Sequence, residues 1–417
     1  MAQAGITLSK ITIGAYSLLT SWSLSVAGSI WRALARRPRR QTINRREIRS
    51  IGIFRLDEMG DFTLFSSLLR PLRQAFPDAH ITLVLCDWIC PLAELCPYVD
   101  ELVPFPSSGP RWWQFLLGPF RALGVAMKLG RRFDLVINPR FDRDIRGAGF
   151  LANFSLAPWV LGYPSSTESF KAAVNRGYDR FYTHLLPVPD EVLHEVDRSR
   201  QILEYLAIPD DGSRPELWIS HADRRRAHAL LRQDGWRPGD TLICLGVAAS
   251  YARKRWPMDN FVQLAQRLCG SLPRVKFLIV GGVRDRETAE LLRTALASRL
   301  INLAGRAALR VSAAALEECL LYIGNDSGPK HLAAALGKPV AEISCHPIDG
   351  NPAHFQSPER FAAVADSGFV LAPAKALPPC HASCRAAEPH CITQVTVGQV
   401  LEAVVTLVES CQTIHRP

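Results

Sequence analysis

Short apolar runs alternate along this chain with segments whose apolar residues recur at helical spacing. Such runs predict buried strands, and the segments between them predict amphipathic helices. The predicted strands are 48–56, 81–85, 102–103 and 134–137 in the first half, and 242–247, 275–280, 320–323 and 340–343 in the second. The predicted helices are 61–76, 112–129, 191–206, 259–268 and 285–297. Strands that alternate with helices imply parallel sheets covered on both faces, which is an α/β fold.

The length of the chain predicts more than one domain, because 417 residues exceed the ~100–200 residues of an ordinary domain. The stretch 187–239 is rich in proline and charged residues, which indicates a domain boundary. We therefore predict a first domain over 48–206, a linker over 207–238 and a second domain over 239–417. Two such domains facing each other would form a cleft between two sets of strand ends, where a two-substrate transferase works.

Residues 1–47 are predicted to lie outside both domains. The segment 11–31 carries no charge, and its length is close to the ~20 residues that a membrane-spanning helix needs. Its apolar residues also share one helical face, so a helix in the membrane interface competes with a span, and a cleaved signal peptide ranks third. A basic cluster follows, made of Arg32, Arg36, Arg37, Arg39, Arg40, Arg45, Arg46 and Arg49. Arginines in this position belong on the cytoplasmic side of a membrane.

The net charge of +10 and the isoelectric point near 9.2 favour an anionic partner. Much of the excess charge lies in the basic cluster, which has few interleaved aromatic residues. We therefore predict contact with the inner membrane surface and no nucleic-acid partner.

The stretch from Gly324 to Pro339 carries the clearest candidate chemistry. An apolar run ends at Gly324 and a helical pattern begins within five residues, so the sequence G-N-D-S-G-P-K-H reads as strand, loop and helix start. The predicted donor-binding residues here are Asp326, Ser327, Gly328, Lys330 and His331, of which Asp326 and Ser327 can also cap the helix. Backbone N–H groups and the positive end of the helix dipole favour a bound diphosphate. A well-capped core helix without a ligand is the alternative.

Two further loops of the second half follow strand ends and should lie on the same rim. The loop 250–256 contains Lys254 and two arginines, which could neutralise phosphate charge. The loop 281–287 begins with two glycines, and Asp285 or Glu287 could hold ribose or sugar hydroxyls. The glycine pair lacks the G-x-G-x-x-G spacing of a dinucleotide fingerprint. Together the loops favour a nucleotide-linked donor site.

The first half offers acids and arginines at strand ends. The turn D-E-M-G-D-F contains Asp57, Glu58 and Asp61, and a carboxylate there is suited to take a proton from an acceptor hydroxyl. Alternatively, Asp61 is a helix N-terminal acid favoured by the dipole. The predicted acceptor-binding residues, which could instead belong to a solvated helix end, are Arg140, Arg143 and Arg146.

Eleven cysteines, mostly isolated in apolar segments, predict a reducing compartment rather than a disulfide framework. One cluster stands apart, Cys380-x3-Cys384-x6-Cys391, with His381 and His390 between its members. Three thiols and a histidine could bind zinc, but the spacing is not that of a standard zinc module, and buried free thiols are the alternative. We predict no metal among the site residues.

Four elements together carry a family resemblance: R-L-D-E-M-G-D, K-R-W-P, N-D-S-G-P-K-H-L-A-A-A-L-G-K-P and the C-x3-C-x6-C tail. The chain from about Ile48 to Val408 resembles the ADP-heptose:lipopolysaccharide heptosyltransferases of glycosyltransferase family 9. The resemblance implies a GT-B fold of two Rossmann-like domains. It also implies inverting, metal-independent sugar transfer, with a nucleotide sugar such as ADP-heptose as co-substrate and no cofactor.

Site roles also follow from the resemblance. By motif, Asp61 is similar to the catalytic base, Lys254 to the donor-phosphate lysine, and Asp326 to a residue facing the donor sugar. Glu287 is similar to the acid on the ribose or base side, with Asp285 competing. The arginine-rich start and the loop P-R-F-D-R-D depart from the family pattern.

The resulting expectation is an inverting glycosyltransferase at the cytoplasmic face of the inner membrane. Its acceptor would be the lipopolysaccharide core or a related envelope glycan, lipid-linked or free. The alternatives are a transferase of the same family with another nucleotide sugar or a protein acceptor, and a non-catalytic sugar-nucleotide-binding scaffold.

Overall fold

The strands of the chain form two separate six-stranded sheets in the computed structural model, which describes residues 40, 42–107, 109, 111–130 and 133–414. Every strand pair in both sheets is parallel. Buried aliphatic residues fill the strands, as expected for sheets covered on both faces. The predicted α/β class is therefore confirmed.

The first sheet has the strand order β3-β2-β1-β4-β5-β6. Its strands are β1 Ser50–Arg55, β2 His80–Cys86, β3 Glu101–Phe105, β4 Leu135–Asn138, β5 Trp159–Gly162 and β6 His184–Leu185. The α-helices of the same half are Met59–Phe65, Leu69–Ala75, Arg111–Leu129, Ala148–Phe154, Ser169–Val174 and Glu195–Tyr205. The strand order reverses between β1 and β4, and open sheets of this kind bind ligands at that switch point.

The second sheet repeats this order as β9-β8-β7-β10-β11-β12. Its strands are β7 Thr241–Gly246, β8 Val275–Ile279, β9 Leu300–Asn302, β10 Leu321–Asn325, β11 Val340–Ile343 and β12 Gly368–Leu371. Its α-helices are His221–Gln233, Met258–Ser271, Arg286–Glu290, Arg293–Leu296, Leu309–Glu317, Gly328–Ala335, Pro358–Phe361 and Val397–Ile414. The switch point here lies between β7 and β10. Both sheets are therefore Rossmann-like.

Each strand predicted from an apolar run is present, with ends shifted by a few residues at most. Four short strands were missed: β5, β6, β9 and β12. The single helix predicted over 61–76 is two α-helices separated by a 3₁₀ turn at Ser66–Leu68. Pro71 follows that turn and has no N–H for a helical bond to residue 67, which explains why one continuous helix does not form.

The chain divides into two compact units that exchange short segments. Of the described residues, the first unit contains those from Arg40 to Glu58 together with 67–191 and 197–213, and the second contains 214–414. The segments Met59–Ser66 and Val192–Val196 belong to the second unit. The helix Met59–Phe65, which we call the M-G-D helix, is therefore part of the unit that carries the second sheet.

The basic segment from Arg40 to Arg49 is attached to the first unit rather than being a free linker. The backbone carbonyl of Thr42 accepts a hydrogen bond of 2.9 Å from the Trp159 indole. The Arg45 guanidinium donates to the carbonyl of Ala207 at 2.8 Å, and the N–H of Arg49 donates to Asp134 at 2.9 Å. The sequence analysis predicted that residues 1–47 lie outside the domains, whereas these contacts attach the described residues from Arg40 onward to the first unit.

The uncharged segment 11–31 lies outside the described residues. Among the residues that are described, no helix is both long and apolar enough to cross a membrane.

Candidate functional site

Two sequence motifs meet at the switch point of the second sheet. The K-R-W loop (Ser250–Trp256) follows β7, and the helix Gly328–Ala335, which we call the N-D-S-G helix, follows β10. These two strands are paired in register, with Gly324 opposite Gly246. Both loops therefore leave the sheet side by side, as the sequence predicted.

Four charged side chains form a connected network in this place. Lys254 Nζ lies 2.5 Å from one carboxylate oxygen of Asp326, and Lys330 Nζ lies 2.7 Å from the other. Lys330 also contacts Glu342 Oε1 at 2.6 Å. Two ammonium groups and two carboxylates balance in charge, which is the condition under which buried ions are tolerated.

Burial and pairing act against each other on the pKa values in this network. Burial opposes the ionisation of Asp326, but the charges of Lys254 and Lys330 outweigh it, so the pKa of Asp326 lies below its ordinary value of 3.8. Burial would lower the pKa of Lys330, yet Asp326 and Glu342 raise it above 10.5. Both groups are therefore held in their charged forms.

The two lysines differ in exposure. The side chain of Lys330 is completely buried, whereas that of Lys254 is 15% exposed. An ammonium group has three donors, so Lys254 can bind Asp326 and still reach a ligand. Lys330 already contacts two carboxylates at the base of the network, so its predicted contact with the donor gains no support from this geometry.

The N-terminus of the N-D-S-G helix suits an anion. Ser327 occupies the N-cap position with extended backbone (φ −154°, ψ 168°), and its side chain makes no capping hydrogen bond. Asp326 does not cap the helix either, because its two oxygens bind the lysines. The positive end of the helix dipole is thus available beside Lys254.

His331 lies beneath the same helix turn and contacts the M-G-D helix. A methyl group added to Gly60 would lie 2.7 Å from His331 Cδ2, and one added to Gly328 would lie 2.3 Å from Met59 Cε. Burial holds the pKa of His331 well below 6.5, and its Nδ1 has no hydrogen-bond partner among the described residues. The M-G-D helix, which carries Asp61, therefore packs directly against the N-D-S-G helix within one unit.

The competing acids of the 281–287 loop have different environments. Asp285 Oδ2 accepts a hydrogen bond of 2.8 Å from the backbone N–H of Gly282 and so closes its own turn. Glu287 lies on the exposed side of the short helix Arg286–Glu290. This geometry favours Glu287 over Asp285 as the acid that holds a ligand hydroxyl.

In the first unit, the predicted acceptor arginines bind the acids of the D-E-M-G-D turn. Arg140 Nη1 lies 2.6 Å from Asp57, which also contacts Arg55 at 3.0 Å. Arg146 Nη2 lies 2.7 Å from Glu58 and is largely buried. Burial would lower the pKa of Arg146, but its neighbours, Glu58 first among them, together raise it. Asp57 and Glu58 are thus engaged in ion pairs with arginines of the first unit.

Arg143 differs from these two arginines because its guanidinium lies 4.9 Å from the centroid of the Phe170 ring. It is half-buried at the surface of the first unit. The acceptor-binding role of the three arginines remains a prediction, and Arg143 fits it best.

Sequence reasoning missed the residues that support the site. Asn325 accepts from the N–H of Trp256 at 2.8 Å and donates to the carbonyl of Val247 at 2.8 Å, which fixes both ends of the K-R-W loop. Glu342 is an acid inside the buried strand V-A-E-I. An acid in such an apolar strand could have been recognised from the sequence as half of a buried ion pair, because buried acids need a partner. The contact between the M-G-D helix and His331 had no sequence signal.

Comparison with known proteins agrees with this fold and these motifs. The family model described as glycosyltransferase family 9 (heptosyltransferase) matches residues 159–343. Lipopolysaccharide heptosyltransferase 2 of Escherichia coli is 27% identical over 305 residues, which cover 68% of this chain and 79% of the relative. The protein of the same name from Salmonella typhimurium is 25% identical over 306 residues, with the same coverage of both chains.

A solved structure shares the fold at lower identity. The glycosyltransferase family 9 protein from Veillonella parvula superposes with a TM-score of 0.68 at 23% identity, covering 87% of this chain and 97% of that one. The two Rossmann-like units and these similarities together indicate a glycosyltransferase of the GT-B type. Over residues 159–343 the chain is similar to glycosyltransferase family 9, the heptosyltransferase family.

Proposed function

We propose that this protein transfers heptose from ADP-heptose to a lipopolysaccharide core or a related envelope glycan, with inversion at the anomeric carbon and without a metal in the transfer step. The observation that carries the proposal is the position of Lys254. Asp326 holds its partly exposed ammonium group beside the uncapped N-terminus of the N-D-S-G helix. A fixed cation next to the N-terminus of this helix matches the two negative charges of a nucleotide diphosphate.

The donor diphosphate is proposed to lie along the backbone from Ser327 to His331, with Lys254 as its charge partner. Asp326 positions Lys254 and is proposed to face the donor sugar. Lys330 favours the ionised form of the Asp326 carboxylate, and Glu342 in turn holds Lys330. Glu287 is proposed to hold hydroxyls of the ribose or the base side.

Asp61 is proposed to be the general base. An acceptor hydroxyl has a pKa far above 7, so it attacks the anomeric carbon effectively only if a base takes its proton as the new bond forms. The M-G-D helix places Asp61 in its first turn, and that helix packs on His331 of the donor-binding helix. With such a base, the acceptor displaces the diphosphate directly, and direct displacement inverts the configuration of the anomeric carbon.

The acceptor is proposed to be lipid-linked, and the enzyme to work at the cytoplasmic face of the inner membrane. The support is the uncharged segment 11–31 followed by the basic cluster, since anionic lipid attracts arginines close to its surface. Arg143 is the proposed contact for anionic groups of the acceptor.

A panel of nucleotide sugars tests the donor. The purified chain is incubated with ADP-heptose, ADP-glucose, UDP-glucose or GDP-mannose, and its thermal unfolding is followed. A donor present at 100-fold over its Kd stabilises the folded state by about 2.7 kcal/mol. We expect ADP-heptose to give the largest shift, and release of ADP on addition of a heptose-acceptor core oligosaccharide. Binding without turnover would instead indicate a non-catalytic scaffold. A larger shift with another nucleotide sugar would mean that this sugar, and not ADP-heptose, is the donor.

A further inference from the structure

A group of potential metal ligands lies in the second unit, in the segment 373–396 between β12 and the C-terminal helix Val397–Ile414. The ligand atoms of Cys380, Cys384, His390 and Cys391 all lie within 4.8 Å of one another. The three cysteines are free thiols and buried, and the histidine is half-buried. Of the two histidines between the cysteines, His390 belongs to the group, whereas His381 lies outside it.

The distances within the group match a tetrahedral metal site. His390 Nδ1 lies 3.7 Å from Cys380 Sγ and 3.5 Å from Cys391 Sγ. With Zn–S bonds of ~2.3 Å and Zn–N bonds of ~2.0 Å, tetrahedral geometry places sulfur and nitrogen about 3.5 Å apart. The backbone N–H of Arg385 also donates to Cys380 Sγ at 3.3 Å. Such a hydrogen bond stabilises a ligating thiolate, as second-shell donors do in metal sites.

Free thiols alone explain this arrangement poorly. A disulfide would join only two of the three thiols, and it would not explain why the third thiol and the imidazole also lie within 4.8 Å of them. The segment 373–396 contains the 3₁₀ helix Cys391–Gln394 as its only regular element among the described residues, and long irregular segments inside a domain need a constraint. Three sulfurs and one imidazole nitrogen around one point supply such a constraint if they share an ion.

We propose that Cys380, Cys384, His390 and Cys391 bind one thiophilic transition-metal ion in tetrahedral geometry, with Zn²⁺ as the expected ion. All four ligands come from the protein, so the site is closed and structural, with no open position for catalysis. Proton transfer by Asp61 and charge compensation by Lys254 do not involve this ion, and the transfer step remains metal-independent.

The metal site is placed to brace the K-R-W loop. The 3₁₀ helix that begins at Cys391 packs against the 3₁₀ helix Ala252–Lys254. The carbonyl of Val395 accepts a hydrogen bond of 2.8 Å from the buried Trp256 indole. Trp256 lies two residues after Lys254, so a fixed 391–395 segment holds the lysine loop in position. This second step of the inference rests on the proposed donor role of Lys254, whereas metal binding itself does not.

The first experiment measures metal in the unmodified full-length chain. The protein is purified anaerobically with reductant, reconstituted separately with Zn²⁺ or Fe²⁺, desalted and analysed by mass spectrometry of the elements. We expect about one zinc per chain. Co²⁺ substitution should give the absorption of tetrahedral cobalt bound to thiolate. A metal content near zero after both reconstitutions would overturn the site, and iron retained in preference to zinc would overturn the choice of ion.

Variants connect the metal to these ligands. His390→Ala and Cys384→Ser should each weaken zinc binding by at least ~10-fold. Cys269→Ser and Cys411→Ser are matched controls, because both thiols are half-buried in the same unit but lie outside the group, and they should retain zinc. If the controls and ligand variants lose zinc equally, the assignment is wrong.

Chelation tests whether the metal site holds the K-R-W loop in position. Removal of zinc should lower the melting temperature and weaken the binding of ADP, used as the probe, and added zinc should restore both. If the protein binds the metal but its affinity for ADP is unchanged after chelation, the metal site does not hold the K-R-W loop in position. Failure of the proposed heptose transfer would leave metal content and melting temperature as expected here, so the two failures are distinguishable.

Discussion

At the scale of single residues, the site depends on how Asp326 divides its two carboxylate oxygens. One oxygen binds the partly exposed Lys254 and the other binds the fully buried Lys330. The sequence assigned Asp326 and Lys330 to the ligand because they lie at one helix start, and Lys254 because its loop follows the neighbouring strand. The structure separates them into one lysine that can reach a ligand and a buried pair that positions it.

Lys254→Ala should weaken donor binding. A hydrogen bond to a charged group contributes about 1.5–3 kcal/mol, so we expect the Kd for ADP-heptose to rise by roughly 10- to 100-fold. Isothermal titration with the donor measures this. Lys276→Ala is the matched control, since that ammonium group binds the carbonyl of Ser298, and its donor affinity should stay at the wild-type value. Unchanged affinity in Lys254→Ala would remove the assignment.

Asp61→Asn should lose turnover while donor affinity changes little. Proton abstraction by a positioned base contributes ~10²–10⁴-fold in rate, and the amide cannot accept the proton. Glu58→Gln is the control, because Glu58 is exposed and paired with Arg146. It should retain turnover within a few-fold of wild type. Near wild-type rates for Asp61→Asn, or a product with the donor's anomeric configuration retained, would exclude the proposed base.

The lowered pKa of Asp326 predicts a pH dependence of stability. A carboxyl group whose pKa is lower in the folded state contributes stability that is present above its unfolded pKa, near 3.8, and is lost as the pH falls below it. Asp326→Asn leaves Lys330 with one carboxylate and should cost roughly 3–5 kcal/mol at pH 7. Urea unfolding should show this difference shrinking below about pH 4. A difference independent of pH would mean that the charge of Asp326 is not the stabilising feature.

At the scale of elements, the sequence predicted those parts of the fold that depend on local pattern. The long apolar strands β1, β2, β7, β8 and β10 were predictable because burial on both faces leaves continuous apolar runs. Strands β6 and β9 were not, because two or three residues at a sheet edge carry too little pattern. The loops that leave β7 and β10 were predicted to lie together, since strand ends of a parallel sheet share one rim.

The packing of the M-G-D helix was beyond prediction because it is set by side chains distant in the sequence. The sequence placed Asp61 in the first domain, as its position after β1 implies. The structure groups Met59–Ser66 with the second unit, where Gly60 gives room to His331. Glu342 could have been noticed as a charge in a buried strand, whereas its partner Lys330 is identified only by the fold.

Gly60→Ala should disturb the contact between the M-G-D helix and the N-D-S-G helix. The added methyl group would lie 2.7 Å from His331 Cδ2, and overpacking of this kind costs about 1–3 kcal/mol. We expect a lower melting temperature together with reduced turnover, since Asp61 is the next residue. Gly270→Ala is the matched control, because a methyl group there meets nothing within 4 Å and should leave turnover unchanged. If Gly60→Ala turns over normally, the helix contact does not position Asp61.

At the scale of the whole molecule, the question is where the catalytic body begins. The basic segment is continuous in sequence from Arg32 to Arg49, but its described part binds the first unit through Thr42, Arg45 and Arg49. The described arginines from Arg40 onward contribute to the fold of the first unit. The proposed contact with the membrane surface therefore rests on those before Arg40.

Removal of residues 1–39 should release the protein from the membrane and preserve its activity. The deletion takes away the uncharged segment and four of the arginines, each of which contributes about 1 kcal/mol of attraction to an anionic bilayer. We expect the shortened protein to fold and to turn over a delipidated acceptor at the wild-type rate. When mixed with vesicles of anionic phospholipid, it should stay in the supernatant, whereas the full chain should sediment with the vesicles.

Removal of residues 1–49 is the comparison, because it also deletes the contacts to Trp159, Ala207 and Asp134 and should lower the melting temperature. If the protein lacking 1–39 sediments with the vesicles as the full chain does, or if it no longer folds, the segment is not a separate membrane tether.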